Sequence, residues 1–341
     1  MRNGILVGGN WIIDQVKVID KYPTQEALAN ILAEYTSNGG SAYNILKDLR
    51  RLNVPFPLEG IGLVGDDNLG NRIFEECKSL NIKSKQLRKT KLAHTSYTDV
   101  MSVKCNGRRT FFHHRGANAL LTERDFELDS SASKIFHLGY MLLLDKLDIV
   151  DKNGTTGASR ILKKAKESGH ITTADLVSED SNRFSSVVPP ALPYIDYLFV
   201  NEFEAQMLTG TVTANEQGDV LPDRCYEAAL KIHDMGVGKW VIVHFPSGIV
   251  AVDSAGKMLF QPCIKVPVEK IEGSVGAGDA FAAGVLMGIH ENWDMQTSLQ
   301  LGVCAAATSL FAATSSDGIQ DFKQCISMIQ QYGYQTEAVS V

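Results

Sequence analysis

The segment Glu272-Gly273-Ser274-Val275-Gly276-Ala277-Gly278-Asp279 runs directly into Ala280-Phe281-Ala282-Ala283-Gly284. Small residues fill the loop before an apolar helix, so the backbone there can approach a ligand closely. The amides of Ala277, Gly278 and Asp279 fall at the helix start. They lack intrahelical acceptors there and favour an anion such as a phosphate. Asp279 stands in the same turn. A carboxylate beside a phosphate site is electrostatically costly, so it either caps the helix or takes a proton from an attacking hydroxyl. Alone, the run could also be a tight turn with a cap. It matches neither the Rossmann fingerprint nor the Walker A loop.

Outward from this segment, strands and helices alternate. Apolar runs at 134–138, 171–175, 197–200 and 240–244 read as strands, and 158–167 and 225–235 as helices between them. Two apolar helices, 279–289 and 297–312, close the chain. Near the N-terminus, strands at 5–7 and 60–64 flank a helix whose inner face is Ala42, Ile45, Leu46, Leu49 and Leu52. Ile73, Cys77 and Leu80 mark the next helix. Such alternation predicts a mainly parallel sheet covered on both faces. Two stretches break the rhythm. Residues 11–19 alternate apolar and polar, and Asn106-Gly107 separates two strand-like runs, the strongest short hairpin signal. They predict a small extra sheet from about 11–36 and 92–117. No repeat or linker divides the chain, so residues 1–341 read as one domain.

Composition narrows the function. Of 341 residues, 44% are hydrophobic and 21% charged, as in folded proteins. Lys and Arg total 33 against 39 Asp and Glu, a net charge of -6. That balance argues against nucleic acid or an anionic membrane as partner. The six cysteines are dispersed with no Cys-x-x-Cys, which fits free thiols in a reducing compartment. The longest apolar run, 299–313, is too short to span a bilayer and is interrupted by Gln300, Thr308 and Ser309. A cytoplasmic protein is expected.

The Gly-Ala-Gly-Asp segment resembles the C-terminal signature of the ribokinase-like sugar kinases, the PfkB family. Other elements follow the family order: Gly8 through Asp14, Gly39-Gly40-Ser41-Ala42-Tyr43-Asn44, Gly65-Asp66-Asp67-Asn68-Leu69-Gly70 and Asn201-Glu202-Phe203-Glu204. The likeness runs from about residue 4 to about 330. It implies a three-layer α/β/α fold with a small β-sheet lid. It further implies transfer of the ATP γ-phosphoryl group, with Mg²⁺, to a hydroxyl of a sugar or sugar-like molecule. By the same resemblance Asp279 is the catalytic base and Gly276, Ala277 and Gly278 form the anion hole. Asn201 and Glu204 organise Mg²⁺ through water, and Asp14, Gly40 and Asn44 hold sugar hydroxyls. Asn201 also reads as a cap for a helix beginning at Glu202. Asp14 also reads as an exposed strand residue, and Asn44 as a helix residue satisfying backbone groups.

The family places substrate contacts near Arg115-Gly116-Ala117-Asn118, so Arg115 and Asn118 are substrate candidates. Arg115 either pairs with a substrate anion or is a solvated edge charge. His113 and His114 read as hairpin surface. His244, Ser247 and Gly248 are expected beside the nucleotide. Three departures stand out. Gly273 and Ser274 replace the Asp-Thr that precedes the family's anion hole, so little need for a monovalent cation is expected. Phe245-Pro246-Ser247-Gly248 keeps only the second glycine of the nucleotide loop. Asp175 to Ser178 differs from the usual Asp-x-Asn. A nucleoside kinase of the adenosine-kinase type shares all these motifs, and a catalytically silent sugar-binding protein is the rival from another class. A homodimer through the lid is compatible with its open edges.

Overall fold

The computed structural model describes residues 2–105, 108–179 and 181–335. In chain order, β1 (Ile5–Gly9) leads into β2 (Ile12–Ile19), β3 (Ile31–Gly39) and α1 (Ser41–Arg51). Next come β4 (Leu58–Gly65), α2 (Asn68–Ser79), β5 (Ile82–Thr90), β6 (Ser96–Val103) and β7 (Arg109–His114). The middle holds β8 (Ile135–Met141), α3 (Gly157–Glu167), β9 (Ile171–Leu176), α4 (Phe184–Val187), β10 (Tyr197–Asn201) and α5 (Glu202–Thr209). The chain continues with α6 (Pro222–Asp234), β11 (Trp240–Phe245), β12 (Gly248–Asp253) and β13 (Met258–Pro262). It ends in α7 (Ala277–His290), α8 (Met295–Ser309) and α9 (Phe322–Tyr332).

Nine strands form the main sheet in the order β13-β12-β11-β10-β9-β8-β1-β4-β5. All neighbours from β11 to β5 are parallel, and β12 and β13 add an antiparallel edge. Alternate side chains point to opposite layers, as the strand period requires. Ile5 and Val7 pack with α1, α2, α7, α8 and α9, while Leu6 packs with α3 to α6. The expected three layers are therefore present. The pair α7–α8 is apolar nearly all round because it lies in the core. The two helices approach so closely that a Cβ on Gly284 would lie 2.8 Å from the Gly302 Cα.

The lid is a separate four-stranded sheet in the order β3-β2-β6-β7. β2 runs antiparallel to β3 and parallel to β6, and β6 is antiparallel to β7. Register stacks three rows on one lid face: Asp14-Thr98-His113, then Val16-Val100-Phe111, then Val18-Ser102-Arg109. Asn106-Gly107 lies outside the described residues, but the strands on either side pair from Tyr97↔His114 to Ser102↔Arg109.

Three strands and two helices exceed the sequence reading, the four-residue α4 among them. β5 is a polar edge strand, so its hydrophobic signal is weak. β12 and β13 follow a tight turn at Pro246-Ser247, and α9 buries only Cys325 and Met328. Among the described residues, no helix is long and apolar enough to cross a membrane, and the six cysteines are free.

Candidate active site

The chemistry gathers at the C-terminal ends of the parallel strands, where open α/β sheets bind ligands. α7 begins there. Gly276, at φ +75°, precedes it in the left-handed region, and a Cβ at that position would lie 2.7 Å from the Ser315 Cβ. Conformation and space both require glycine. No side chain caps α7. The Ala277 amide, expected to be free, instead turns back to the Ser274 carbonyl at 3.4 Å, and with no side-chain cap an anion can still be met by the amides that follow it in the first turn.

Asp279 does not serve as the cap. Its buried carboxylate is held by two other elements. Asn44 Nδ2, on α1, donates to Oδ2 at 2.7 Å. The Tyr140 hydroxyl, on β8, lies 2.9 and 2.7 Å from Oδ1 and Oδ2. Burial pushes the Asp279 pKa up to about 7, and the Asp175 charge adds to it against the hydrogen bonds from Asn44 and Tyr140.

The acceptor-side candidates share this space. Asp14 is buried on β2 rather than exposed, and burial raises its pKa to about 7 despite a hydrogen bond from Thr98. Asn44 accepts from Asn38 Nδ2 at 2.7 Å while donating to Asp279, so its partners are side chains rather than backbone. Gly40, at φ +80°, is the residue before α1.

On the opposite side, Asn201 caps α5. Its Oδ1 accepts from the Glu204 amide at 2.8 Å, and Glu204 Oε2 accepts from the Asn201 amide at 2.9 Å. Ser178 joins the pair, donating to Glu204 Oε1 at 2.8 Å and lying 2.7 Å from Asn201 Nδ2. Burial lifts the Glu204 pKa to about 7. His244 is held neutral, its pKa lowered to about 4 by burial. It lies so close to Gly278 that a Cβ there would be 3.3 Å from His244 Cε1. Asp175 accepts from Ser41 Oγ at 2.6 Å and leaves Oδ1 buried without a partner.

One cavity of about 440 Å³ joins these residues. Asp14, Gly40, Asn44, Asn201, Glu204, His244 and Gly276 to Asp279 all line it. Four candidates lie outside that lining. Arg115 pairs with Asp145 at 2.9 Å, so it is neither a cavity residue nor an unpaired edge charge. Asn118 both accepts from the Trp11 amide at 3.2 Å and donates to the Trp11 carbonyl at 3.1 Å, which pins the crossing from β1 to β2. Ser247 and Gly248 belong to the β11–β12 turn, where Phe245 pairs with Gly248.

The sequence reading also missed cavity residues. His113 is not hairpin surface. It lines the cavity with Thr98, Arg109 and Phe111. Two-residue alternation along β7 places Arg109, Phe111 and His113 on one face, and that signal was available. Tyr140 carried no local signal, because its partner is 139 residues away. Among the described residues, no group of three or more His, Cys, Asp or Glu side chains is arranged to hold a metal ion.

Comparison with known proteins agrees with this geometry. The chain is 26% identical to adenosine kinase of Saccharomyces cerevisiae over 286 residues, covering 80% of this chain and 77% of that protein. It is 23% identical to a 5-dehydro-2-deoxygluconokinase of Clostridium perfringens, covering 82% and 80% respectively. Its fold is that of Arabidopsis thaliana ribokinase, solved with ribose and ATP, at a TM-score of 0.76 and 22% identity over 97% of this chain and 99% of the other. The profile described as pfkB family carbohydrate kinase matches residues 7–320. The chain therefore belongs to the pfkB family of carbohydrate kinases.

Proposed function

We propose that the protein transfers the γ-phosphoryl group of ATP to a hydroxyl of a sugar or sugar-like acceptor held beneath the lid. The observation that carries this reading is Asp279. It is a buried carboxylate with a pKa near 7, beside the uncapped start of α7, in one cavity with Asp14 and the Asn201–Glu204 pair. An alcohol is a poor nucleophile, and a base titrating near neutrality is suited to it. The acceptor hydroxyl gives its proton to the Asp279 carboxylate as its oxygen bonds to the γ-phosphorus. The bond from that phosphorus to the β,γ-bridging oxygen breaks and ADP leaves. The amides of the α7 start stabilise the transferred group, because phosphoryl transfer relies on positioning and charge neutralisation. Asp14, Gly40 and Asn44 hold the acceptor, and His244 lies beside the nucleotide.

The donor set suits Mg²⁺ held largely through water. Glu204 supplies a buried carboxylate, and Asp175 Oδ1 is a buried oxygen without a partner on the same cavity. Hard oxygen ligands and retained waters are what Mg²⁺ prefers. Bound there, Mg²⁺ supplies charge neutralisation for the nucleotide phosphates.

A nucleoside acceptor is the second reading, favoured by the likeness to adenosine kinase and by Phe111 on the lid face. ADP release across a panel of sugars and nucleosides tests both. Turnover with one acceptor class supports the kinase reading, and no turnover above ATP hydrolysis across a broad panel contradicts it.

A further inference from the structure

Arg109 is the one Lys or Arg side chain that lines the cavity. The other ionisable groups around it are the carboxylates Asp14, Asp175, Glu204 and Asp279, the Tyr140 phenol, and two histidines that burial keeps neutral. Arg109 makes no ion pair or side-chain hydrogen bond among the described residues. Its named contact is the Phe111 ring, whose centroid lies 5.8 Å from the guanidinium carbon. Arg109 starts in the third lid row on β7, and that contact puts its guanidinium beside the second-row Phe111, with β6 lying between β7 and the strand that carries Asp14. A half-buried guanidinium without a counter-ion is costly, and its fork matches a carboxylate or a phosphate. Adjacent rows on one strand face are about 7 Å apart. Asp14 lies on β2 and Phe111 on β7, one row and two strands apart, so the two backbone positions are separated by about 12 Å.

His113 adds a second observation. Its Nδ1 lies 3.0 Å from Thr98 Oγ1, and its Nε2 is buried without a partner. That nitrogen stands in the Asp14 row, on the path an acceptor would follow from Asp14 to Arg109. The nucleotide phosphates belong at the opposite side, at the α7 start and the Asn201–Glu204 pair.

We infer that the acceptor is an anionic sugar derivative, whose carboxylate or phosphate is bound by Arg109 at the end remote from the reacting hydroxyl. The inference rests on the kinase reading for which hydroxyl reacts, but the recognition itself can be measured without ATP. The test uses two matched pairs, gluconate against glucose and ribose 5-phosphate against ribose. Calorimetric binding to the full chain without ATP comes first, and ADP release with ATP and Mg²⁺ second. The two pairs separate a carboxylate from a phosphate. The expected result is that one anion binds about 10²-fold more tightly than its neutral partner. R109M, with an unchanged unfolding midpoint, removes most of that preference, and R109K keeps part of it. Binding that prefers the neutral member of both pairs overturns the inference. So does a preference that R109M leaves intact, or an R109M defect confined to the KM for ATP. Loss of ADP release with the anion preference still present would instead count against the kinase reading alone.

Discussion

In the proposed reaction, Asp279 becomes a base through its neighbours. Burial alone would hold a proton on it well above the usual carboxylate range, and the Asn44 and Tyr140 hydrogen bonds pull the balance back to about 7. A base acts as the carboxylate, so activity must fall as pH drops through its pKa. The kcat/KM profile is expected to show an acid limb near pH 7. Asp14 and Glu204 titrate in the same range, which steepens that limb beyond a single ionisation. Tyr140→Phe removes a hydrogen bond that favours the charged form, so the limb should move to higher pH. A profile flat from pH 5.5 to 8, or a limb unmoved in Y140F, would contradict this account of Asp279. On the acceptor side, Asp14→Ala and Asn44→Ala each remove a buried hydrogen-bonding partner, worth about 1–3 kcal/mol. Titrations should show weaker acceptor binding with nearly unchanged ATP affinity. Equal weakening of both ligands would point to a folding defect. Asp14, Asn44 and Asp279 were legible because they stand inside short motifs. Tyr140 was not, because nothing near it in sequence announces a contact with α7. Arg115 and Arg109 show the complementary failure: Arg109 opens β7 and Arg115 follows it, and only the folded structure tells that Arg109 is the one lining the cavity.

The elements explain why the loop before α7 is built as it is. Gly273 packs against the stretch after α8, where a Cβ would lie 2.9 Å from the Ala312 carbonyl oxygen and 3.1 Å from the Ala313 Cα. A larger side chain there requires the backbone to move, and position 273 itself carries no carboxylate to hold a cation. Glu272 is exposed. A fixed negative charge near a cation contributes several kcal/mol at partly buried sites, by order of magnitude. Activity is therefore expected to depend little on K⁺ at constant ionic strength. Rates with K⁺ against a bulky inert cation, at saturating Mg²⁺ and ATP, check this, and activation of about tenfold or more would show that neutral oxygens suffice. Most elements were legible from apolar periodicity, because buried strands and helices must present apolar faces. β5 was hidden by its place at the sheet edge, where one side meets solvent. The β12–β13 hairpin was hidden for another reason. Phe245-Pro246-Ser247-Gly248 invites reading as a ligand loop, and its strand-turn-strand character is seen only in the pairing of Phe245 with Gly248.

At the scale of the molecule, two sheets enclose one site. The main sheet delivers Tyr140, Asp175, Asn201 and His244 at its strand ends, and the lid brings Asp14, Thr98, Arg109 and His113 over them. This division suits chemistry that must keep water from the γ-phosphate. It also explains what the sequence could not convey. The overall layers follow from local alternation, whereas the specificity of the site depends on how the lid face meets the main sheet. Within the main layers Asp279 is held by two elements at once, through Asn44 from α1 and Tyr140 from β8. The direct test is rapid-quench measurement of the phosphoryl-transfer step in Asp279→Asn, with saturating ATP, Mg²⁺ and the best acceptor at pH 8. The account predicts that acceptor binding persists while the transfer rate falls by about 10²–10⁴-fold, the range of general-base contributions. A transfer rate near that of the unaltered protein would contradict it.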